Sequence, residues 1–425
     1  MSTPQEAGRL APDAEVELLR EAMVAELRAL DGIRSEPVAA AFRAVRRHLF
    51  VPDSPVELAY AANTSLWPKR DLSGALTSTV SAAHIQAVQL EQAALEPGMR
   101  VLEIGSGGYN AALLAELVGA GGQVTTVDID PEIVDRARAC LDAAGYGRVR
   151  TVLADGDAAV PGRGPYDRIV VTARSWDIPP AWVAQLAPDG RIVVPLRLRG
   201  LTRTVALHRA NTPGPLLSGD DVRLCSFVPM QGAGTHDEHV AEIPFTSRAD
   251  GGEGQLYLRT DSLAPGALAD AARGIATATG QEPVTVWTGV EFDHVDDLDL
   301  WLSLRLEQFG LLTGDREIGD VHQPTALTCK GAPSLVSNGG FAYRTKRPVP
   351  GTEGFETGVL AWGPDADALA EQYADVVRDW GRYRAAGGTG PRLDIHPAAT
   401  PITPTEQQRL VDKLHTRIVV TWPHT

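Results

Sequence analysis

The first half of the chain predicts an α/β fold built on a doubly wound parallel sheet, on three observations. Short β-type runs alternate with helical stretches between residues 100 and 196. The first run, Val101-Leu102-Glu103-Ile104, passes into the glycine-rich turn Gly105-Ser106-Gly107-Gly108 and then a helical stretch over Ala111 to Val118. Three successive runs carry an acidic residue at or near the tip: Glu103, Asp128 and Asp155.

Taken in order, residues 1–14 read as a disordered start. Val16, Leu19, Met23, Leu27 and Leu30 recur at helical spacing, which predicts an amphipathic helix from Glu15 to Leu30. A second helix is expected over Glu36 to Val45, ending in Arg46-Arg47-His48-Leu49-Phe50-Val51-Pro52. Arg46 and Arg47 read there as solvated charge near a helix C-terminus, with contact to an acidic peptide as the alternative. Residues 60–78 suggest a loop or hairpin covering the next element. Ser81 stands where the N-cap of a helix reaching Ala94 is expected, a role compatible with a place in a site. After the glycine turn come strands at Val124 to Val127, Val149 to Ala154, Tyr166 to Thr172 and Gly190 to Leu196, with a helix over Ile178 to Leu186.

Past residue 210 the pattern changes. Asn211 to Pro215 reads as a boundary and Asp250 to Gly254 as a loop. Strands are expected at Val284 to Phe292, Phe355 to Trp362, Leu393 to His396 and Arg417 to Trp422, and helices at Asp296 to Leu306 and Asp365 to Tyr383. The division expected is a helical segment and cover over 1–75, a central domain over 76–210 and a C-terminal α/β extension domain over 211–425.

Composition narrows the classes. A chain of 425 residues suggests two or three domains, and 44% hydrophobic with 22% charged residues is an ordinary globular balance. The net charge of −15 argues against a nucleic-acid partner. Cys140, Cys225 and Cys329 are too few and too far apart for a disulfide framework, and a reducing compartment fits. The N-terminus is polar and no apolar run reaches the ~18 residues of a membrane span, so a cytoplasmic, soluble protein with no membrane partner is expected. His236, His294, His322 and His396 lack metal-ligand spacing, and no metal is expected.

Glycines at a strand-to-helix turn let a ligand approach the backbone, because no Cβ intervenes. The spacing is not the dinucleotide pattern, since Asn110 holds the third glycine position. A carboxylate at the tip of the second strand, Asp128, can accept from both hydroxyls of a ribose. With Glu103 and the Asp155-Gly156-Asp157 turn, these features resemble the S-adenosyl-L-methionine site of class I (Rossmann-like) methyltransferases. In that site Asp155 would take the adenine amino group.

Further blocks resemble the protein-L-isoaspartate O-methyltransferase family over residues 40–200. They are His48-Leu49-Phe50-Val51-Pro52, Thr79-Val80-Ser81-Ala82-Ala83-His84, Pro165-Tyr166-Asp167-Arg168-Ile169-Val170-Val171-Thr172 and Gly190-Arg191-Ile192-Val193-Val194-Pro195. The resemblance implies S-adenosyl-L-methionine held by Glu103, Gly105, Ser106, Gly107, Asp128, Ile129, Asp155 and Gly156. It implies a substrate side of Ser81, His84, Arg174, Ser175, Trp176 and Pro195, with the Ser81 hydroxyl as the catalytic group orienting a carboxylate. His84 reads first as a locally hydrogen-bonded residue rather than a base. A carboxylate with a pKa near ~4 is already a nucleophile at neutral pH, so alignment matters more than a base.

The chain departs from the family in Ala83 for proline, Ala154 for glycine, and Arg174-Ser175-Trp176 for small residues. Its length resembles an actinobacterial branch encoded beside lanthipeptide-type precursor peptides. That branch implies methylation of an aspartate in a ribosomal precursor peptide and collapse to a succinimide (aspartimide), with opening to isoaspartate as a further outcome. Two alternatives stand beside it: isoaspartyl repair of aged proteins, and a leader-peptide-binding protein with a degenerate methyltransferase domain. The intact Glu103, Gly105, Gly107, Asp128 and Asp155 weigh against the last. Residues 211–425 are expected to recognise the peptide, with cover of apolar surface or dimerisation as the alternatives, and the oligomeric state is left open.

Overall fold

The computed structural model describes residues 13–423 except 73, 161, 163, 211–213, 247–252, 280, 293–295, 315–330 and 353. The helices α1 (Asp13–Ala29) and α2 (Glu36–Ala44) bury the stripe Val16, Met23, Val24 and Leu27 and the face Val38, Ala39 and Phe42. A turn of 3-10 helix, Arg47–Phe50, and the short α3 (Val56–Ala59) lead to the antiparallel hairpin β1 (Leu66–Arg70) and β2 (Leu76–Val80). Arg46 is exposed, but Arg47 is fully buried, contrary to its reading as solvated charge. Its guanidinium is held by the Gln86 amide oxygen at 2.8 Å and the Ser81 carbonyl at 2.7 Å, above the Tyr109 ring.

Then α4 (Ala83–Ala93), β3 (Arg100–Ile104), α5 (Tyr109–Val118), β4 (Gln123–Asp128), α6 (Pro131–Ala143), β5 (Arg150–Leu153), β6 (Tyr166–Val171), α7 (Pro180–Gln185) and β7 (Leu186–Leu198) follow one another. β5, β4, β3, β6 and β7 lie side by side and parallel, the winding reversing between β3 and β6. A reversal of this kind leaves a crevice at the carboxyl ends of the two central strands.

Residue 210 is not where the sheet stops. β8 (Leu201–Arg209) and β9 (Leu217–Leu224) continue it antiparallel to β7. After β10 (His239–Thr246), β11 (Glu253–Thr260), α8 (Pro265–Ala278), β12 (Val284–Phe292), α9 (Asp296–Arg305), β13 (Phe309–Gly314), β14 (Ala332–Val336), β15 (Phe341–Pro348), β16 (Phe355–Trp362) and α10 (Ala366–Ala385), the chain returns. β17 (Arg392–Pro397), β18 (Gln408–Asp412) and β19 (Thr416–Thr421) then complete a ten-stranded sheet in the order β18-β19-β17-β9-β8-β7-β6-β3-β4-β5. The boundary expected at 210 thus falls inside one sheet. The physical reason is burial: β8 has Val205 and Leu207 fully covered, and β17 and β19 supply Leu393, Ile395, Ile418 and Val420 to the same core.

β10 to β16 make a separate seven-stranded antiparallel sheet, ordered β10-β11-β13-β14-β15-β16-β12. Its Val359, with Leu298 of α9 and Tyr373 of α10, joins the apolar residues of the first sheet in one cluster. Polar ties cross as well. Buried Arg197 on β7 pairs with Asp261 at 2.7 Å and Glu238 at 2.5 Å, and Trp301 on α9 packs edge-on to Trp422 at 5.1 Å. Among the described residues no helix is long and apolar enough to cross a membrane, and no group of His, Cys, Asp and Glu is arranged to hold a metal ion. Cys329, His294, His322, residues 250–252 and residues 1–12 lie outside the described residues.

Candidate active site

A cavity of about 330 Å³ sits at the carboxyl ends of β3 and β4. Gly105, Ser106 and Gly107 form its floor, and the requirement for glycine is steric at Gly105. Its φ is +96°, and a Cβ there would fall 2.4 Å from the Thr172 hydroxyl oxygen. That hydroxyl donates to the Ile104 and Gly105 carbonyls, so it cannot simply swing aside. Ser106 is almost wholly buried, and its hydroxyl has no hydrogen-bonding partner among the described residues.

Asp128 is on the cavity wall at the tip of β4. Its carboxylate accepts from the backbone N–H of Ser106 at 2.9 Å and of Asp130 at 3.0 Å, which fixes both oxygens. Burial raises its pKa from the ordinary carboxylate range, against the pull of those donors. Ile129, more than a third exposed, and Gly156 line the same wall. A Cβ on Gly156 would fall 2.5 Å from Ile104, and the Gly156 carbonyl accepts from the Trp182 indole at 2.7 Å.

Two residues expected at the cofactor are not in that wall. Glu103 is completely buried under the turn, because residues alternate faces along β3 and its side chain points into the α5 layer. One of its oxygens accepts from the Asn110 amide at 2.8 Å, the other has no partner, and burial pushes its carboxyl up to about 7. The Asp155 carboxylate is taken by the N–H groups of Asp157 and Ala233, drawing the 232–234 turn against the end of β5.

On the substrate side, Ser81 lines the cavity, and its hydroxyl makes no hydrogen bond among the described residues. It is not an N-cap: that position is Ala82, with no side-chain cap, because α4 starts one residue later than the capping pattern requires. His84 falls beyond the cavity, its ring packed against Gly32, since the first turn of α4 carries position 84 toward the end of α1. Ser175 is buried, its hydroxyl donating to the Asp177 carbonyl at 2.6 Å, and Pro195 is buried within β7. Neither lies in the cavity wall.

Arg174 and Trp176 line a separate recess of about 10 Å³ that shares Pro229 and Met230 with the cavity. Trp176 is occupied internally: the His236 ring stacks on it at 3.4 Å and the Lys413 ammonium lies 3.0 Å from its centroid. Asp177 ties this loop to the turn before β19 through the His415 N–H at 2.6 Å and the Thr416 hydroxyl at 2.5 Å.

Of the roof, sequence reasoning expected the covering hairpin and missed Ser226 to Gln231. Thr77 and Thr79 of β2 and the segment Ser226 to Gln231 close the cavity, and the Gln231 amide donates to the Thr77 carbonyl at 3.2 Å. The hairpin is anchored by Lys69, which pairs with Asp130 and Glu132 at 2.6 Å each. Nothing local in 226–231 marks it as a wall. The hairpin signal was present in residues 60–78.

The parallel sheet with its switch point, the strained glycine turn and the strand-tip aspartate define a class I S-adenosylmethionine-dependent methyltransferase. The residues present fit that cofactor: a backbone cradle a Cβ would fill, a buried hydroxyl without a partner and an apolar wall. The family model "Protein-L-isoaspartate(D-aspartate) O-methyltransferase (PCMT)" matches residues 18–234. A protein-L-isoaspartate O-methyltransferase of Hyperthermus butylicus is 39% identical over 209 residues, covering 47% of this chain and 83% of that protein. One of Methanopyrus kandleri is 37% identical over 219 residues, covering 50% of this chain and 91% of its own. A solved protein-L-isoaspartate O-methyltransferase aligns over 94% of this chain and 98% of its own, at 20% identity and a TM-score of 0.47. The chain belongs to the protein-L-isoaspartate O-methyltransferase family.

Proposed function

We propose that this enzyme esterifies the free carboxylate of isoaspartyl residues in polypeptides. The observation that carries the reading is Ser81: a hydroxyl without a hydrogen-bonding partner among the described residues, on the wall of the cavity that holds the glycine turn and Asp128. S-adenosyl-L-methionine supplies an electrophilic methyl carbon, which a carboxylate oxygen takes as the carbon–sulfur bond breaks. No proton moves in this step, so no base is required.

In this reading Ser81 donates to one carboxylate oxygen and leaves the other aimed at the methyl group. Arg47 is a positioning residue, since its bond to the Ser81 carbonyl at 2.7 Å fixes the backbone that carries the hydroxyl. Asp128 would accept from the ribose hydroxyls, Ile129 and Gly156 would bound the adenine, and the 105–107 backbone would border the amino-acid end. Arg174, beside the cavity, meets the peptide, while the hairpin and residues 226–231 exclude water.

A second reading makes the acceptor an aspartate of a ribosomal precursor peptide, with the ester closing to a succinimide. It is favoured by residues 239–385, which lie beyond the stretch matched by the family and add a complete second sheet. The test gives the purified protein S-adenosyl-L-methionine with matched isoaspartyl, aspartyl and asparaginyl peptides, and reads ester and succinimide by mass spectrometry. The first reading expects ester on the isoaspartyl peptide alone. Ester or succinimide on the aspartyl peptide favours the second, and no product from either removes both.

A further inference from the structure

A second, larger opening lies between the two sheets. It is a cleft of about 920 Å³ walled by β8 and β9 on one side and by β12 and α10 on the other. In a chain of net charge −15, this cleft is lined by Arg203, Arg223, Arg378, Arg382 and Arg384 against one carboxylate, Glu291. Phe292 and Trp380 add apolar surface.

The cleft adjoins the methyl-transfer cavity along the chain. Val222, Arg223 and Leu224 at the end of β9 line the cleft, and Ser226, two positions on, begins the cavity wall. Leu224 pairs with Arg203 near the start of β8, beside the carboxyl end of β7, so both openings are at the ligand-binding edge of the same sheet.

Arg203 is buried and Arg223 pairs with Asp221 at 3.0 Å and Asp31 at 3.4 Å, so the arginines open to exchange of partners are those of α10. Arg378 pairs with Glu371 and Asp375 and Arg382 with Asp379, all on the solvent side of α10, where ion pairs are weakly held. Arg384 donates to the Gly388 carbonyl and forms no ion pair among the described residues. A carboxylate arriving in the cleft gains bidentate, charge-assisted hydrogen bonds that a neutral side chain cannot make.

We propose that this cleft binds acidic residues flanking the acceptor of a polypeptide substrate, so that the chain prefers carboxylates in an Asp- and Glu-rich sequence. The inference rests on the carboxyl-methylation reading for its acceptor. A nucleic acid fits less well, because a polyanion longer than the cleft meets the negative charge of the rest of the surface.

The test uses two labelled peptides with asparagine in place of the acceptor, one flanked by Asp and Glu and one by Ser and Gln. Fluorescence anisotropy on the full chain should show the acidic peptide binding about tenfold tighter at low salt, the advantage shrinking as salt is added. Arg382→Glu with Arg384→Glu should abolish the advantage, while Arg382→Lys with Arg384→Lys retains it. Arg378→Glu with Arg382→Glu repeats the test with the half-buried Arg378 in place of Arg384, and thermal melts check folding. Equal affinity of the two peptides in the parent overturns the inference, as does an advantage that survives both charge reversals in folded protein. Tighter competition by a single-stranded oligonucleotide of equal charge does so too. Binding needs no methyl transfer, so an acidic preference without ester formation sinks only the functional reading, and ester formation without preference sinks only this one.

Discussion

Asp128 and Glu103 are both carboxylates on central strands, and their surroundings set them to different work. Asp128 sits on the cavity wall with each oxygen held by a backbone N–H, leaving further acceptor capacity for ribose hydroxyls. Asp128→Ala should weaken S-adenosyl-L-methionine binding ten- to a hundredfold, the equivalent of ~1.5–3 kcal/mol for a lost charge-assisted hydrogen bond. Isothermal calorimetry on a folded variant with unchanged affinity would remove the ribose assignment. Glu103, fully buried, is raised to about 7 by that burial. Its unfolded pKa is near ~4.3, so between these values the folded chain holds more protons than the unfolded one. Stability therefore falls as pH rises through that window. Glu103→Gln keeps an acceptor for Asn110 without the charge, and should be more stable than the parent by roughly 2–3 kcal/mol at pH 8, the gain fading toward pH 5. Urea titrations at the two pH values measure this. A gain independent of pH would mean altered packing rather than ionisation.

Among the elements, the β3–α5 turn and the start of α4 are the most constrained. At Gly105 a side chain meets both a positive φ and the Thr172 hydroxyl. Gly105→Ala should cost at least ~1–3 kcal/mol of stability and lose cofactor binding. Adding Thr172→Ala removes the clash but not the backbone strain, so thermal melts should show partial recovery only. At α4 the cap is Ala82, and the Ser81 hydroxyl bonds to nothing in the element. Ser81→Ala should therefore leave stability within about 0.5 kcal/mol of the parent while lowering methyl transfer sharply. Melting and turnover measured on one preparation decide it. A stability loss of ~1 kcal/mol with turnover intact would restore the capping role.

At the scale of the whole molecule, the chain after residue 210 is bound into the methyltransferase sheet. β9, β17, β19 and β18 cover the β8 edge, and Ser226 to Gln231 wall the cavity. Truncation after residue 210 should yield aggregated protein without cofactor binding, because it bares Val205, Leu207 and an unpaired strand edge. A soluble, cooperatively melting fragment that binds S-adenosyl-L-methionine would contradict this dependence. The cofactor cavity thus takes part of its wall from beyond the boundary expected at residue 210.

What the sequence determined by itself is local and periodic. Apolar runs of four to six residues, helical spacing and a glycine turn fixed the central strands; Val284–Phe292 and Phe355–Trp362 were legible to the residue. The class of cofactor was legible because chemistry at a strand tip needs particular side chains at short spacing: Gly105, Gly107 and Asp128. Long-range pairing decided the rest. Neither the return of Arg392–Thr421 to a sheet begun at Arg100 nor the roof at 226–231 has a local signature, since each exists only through partners far off in sequence. Burial decided likewise for single residues. Arg47, Glu103, Ser175 and Pro195 read as exposed or ligand-facing from their types and motifs, and only the packed layers turned them inward. The arginine-lined cleft is the clearest case. Its five arginines are scattered over Arg203 to Arg384, and folding two sheets against each other is what gathers them.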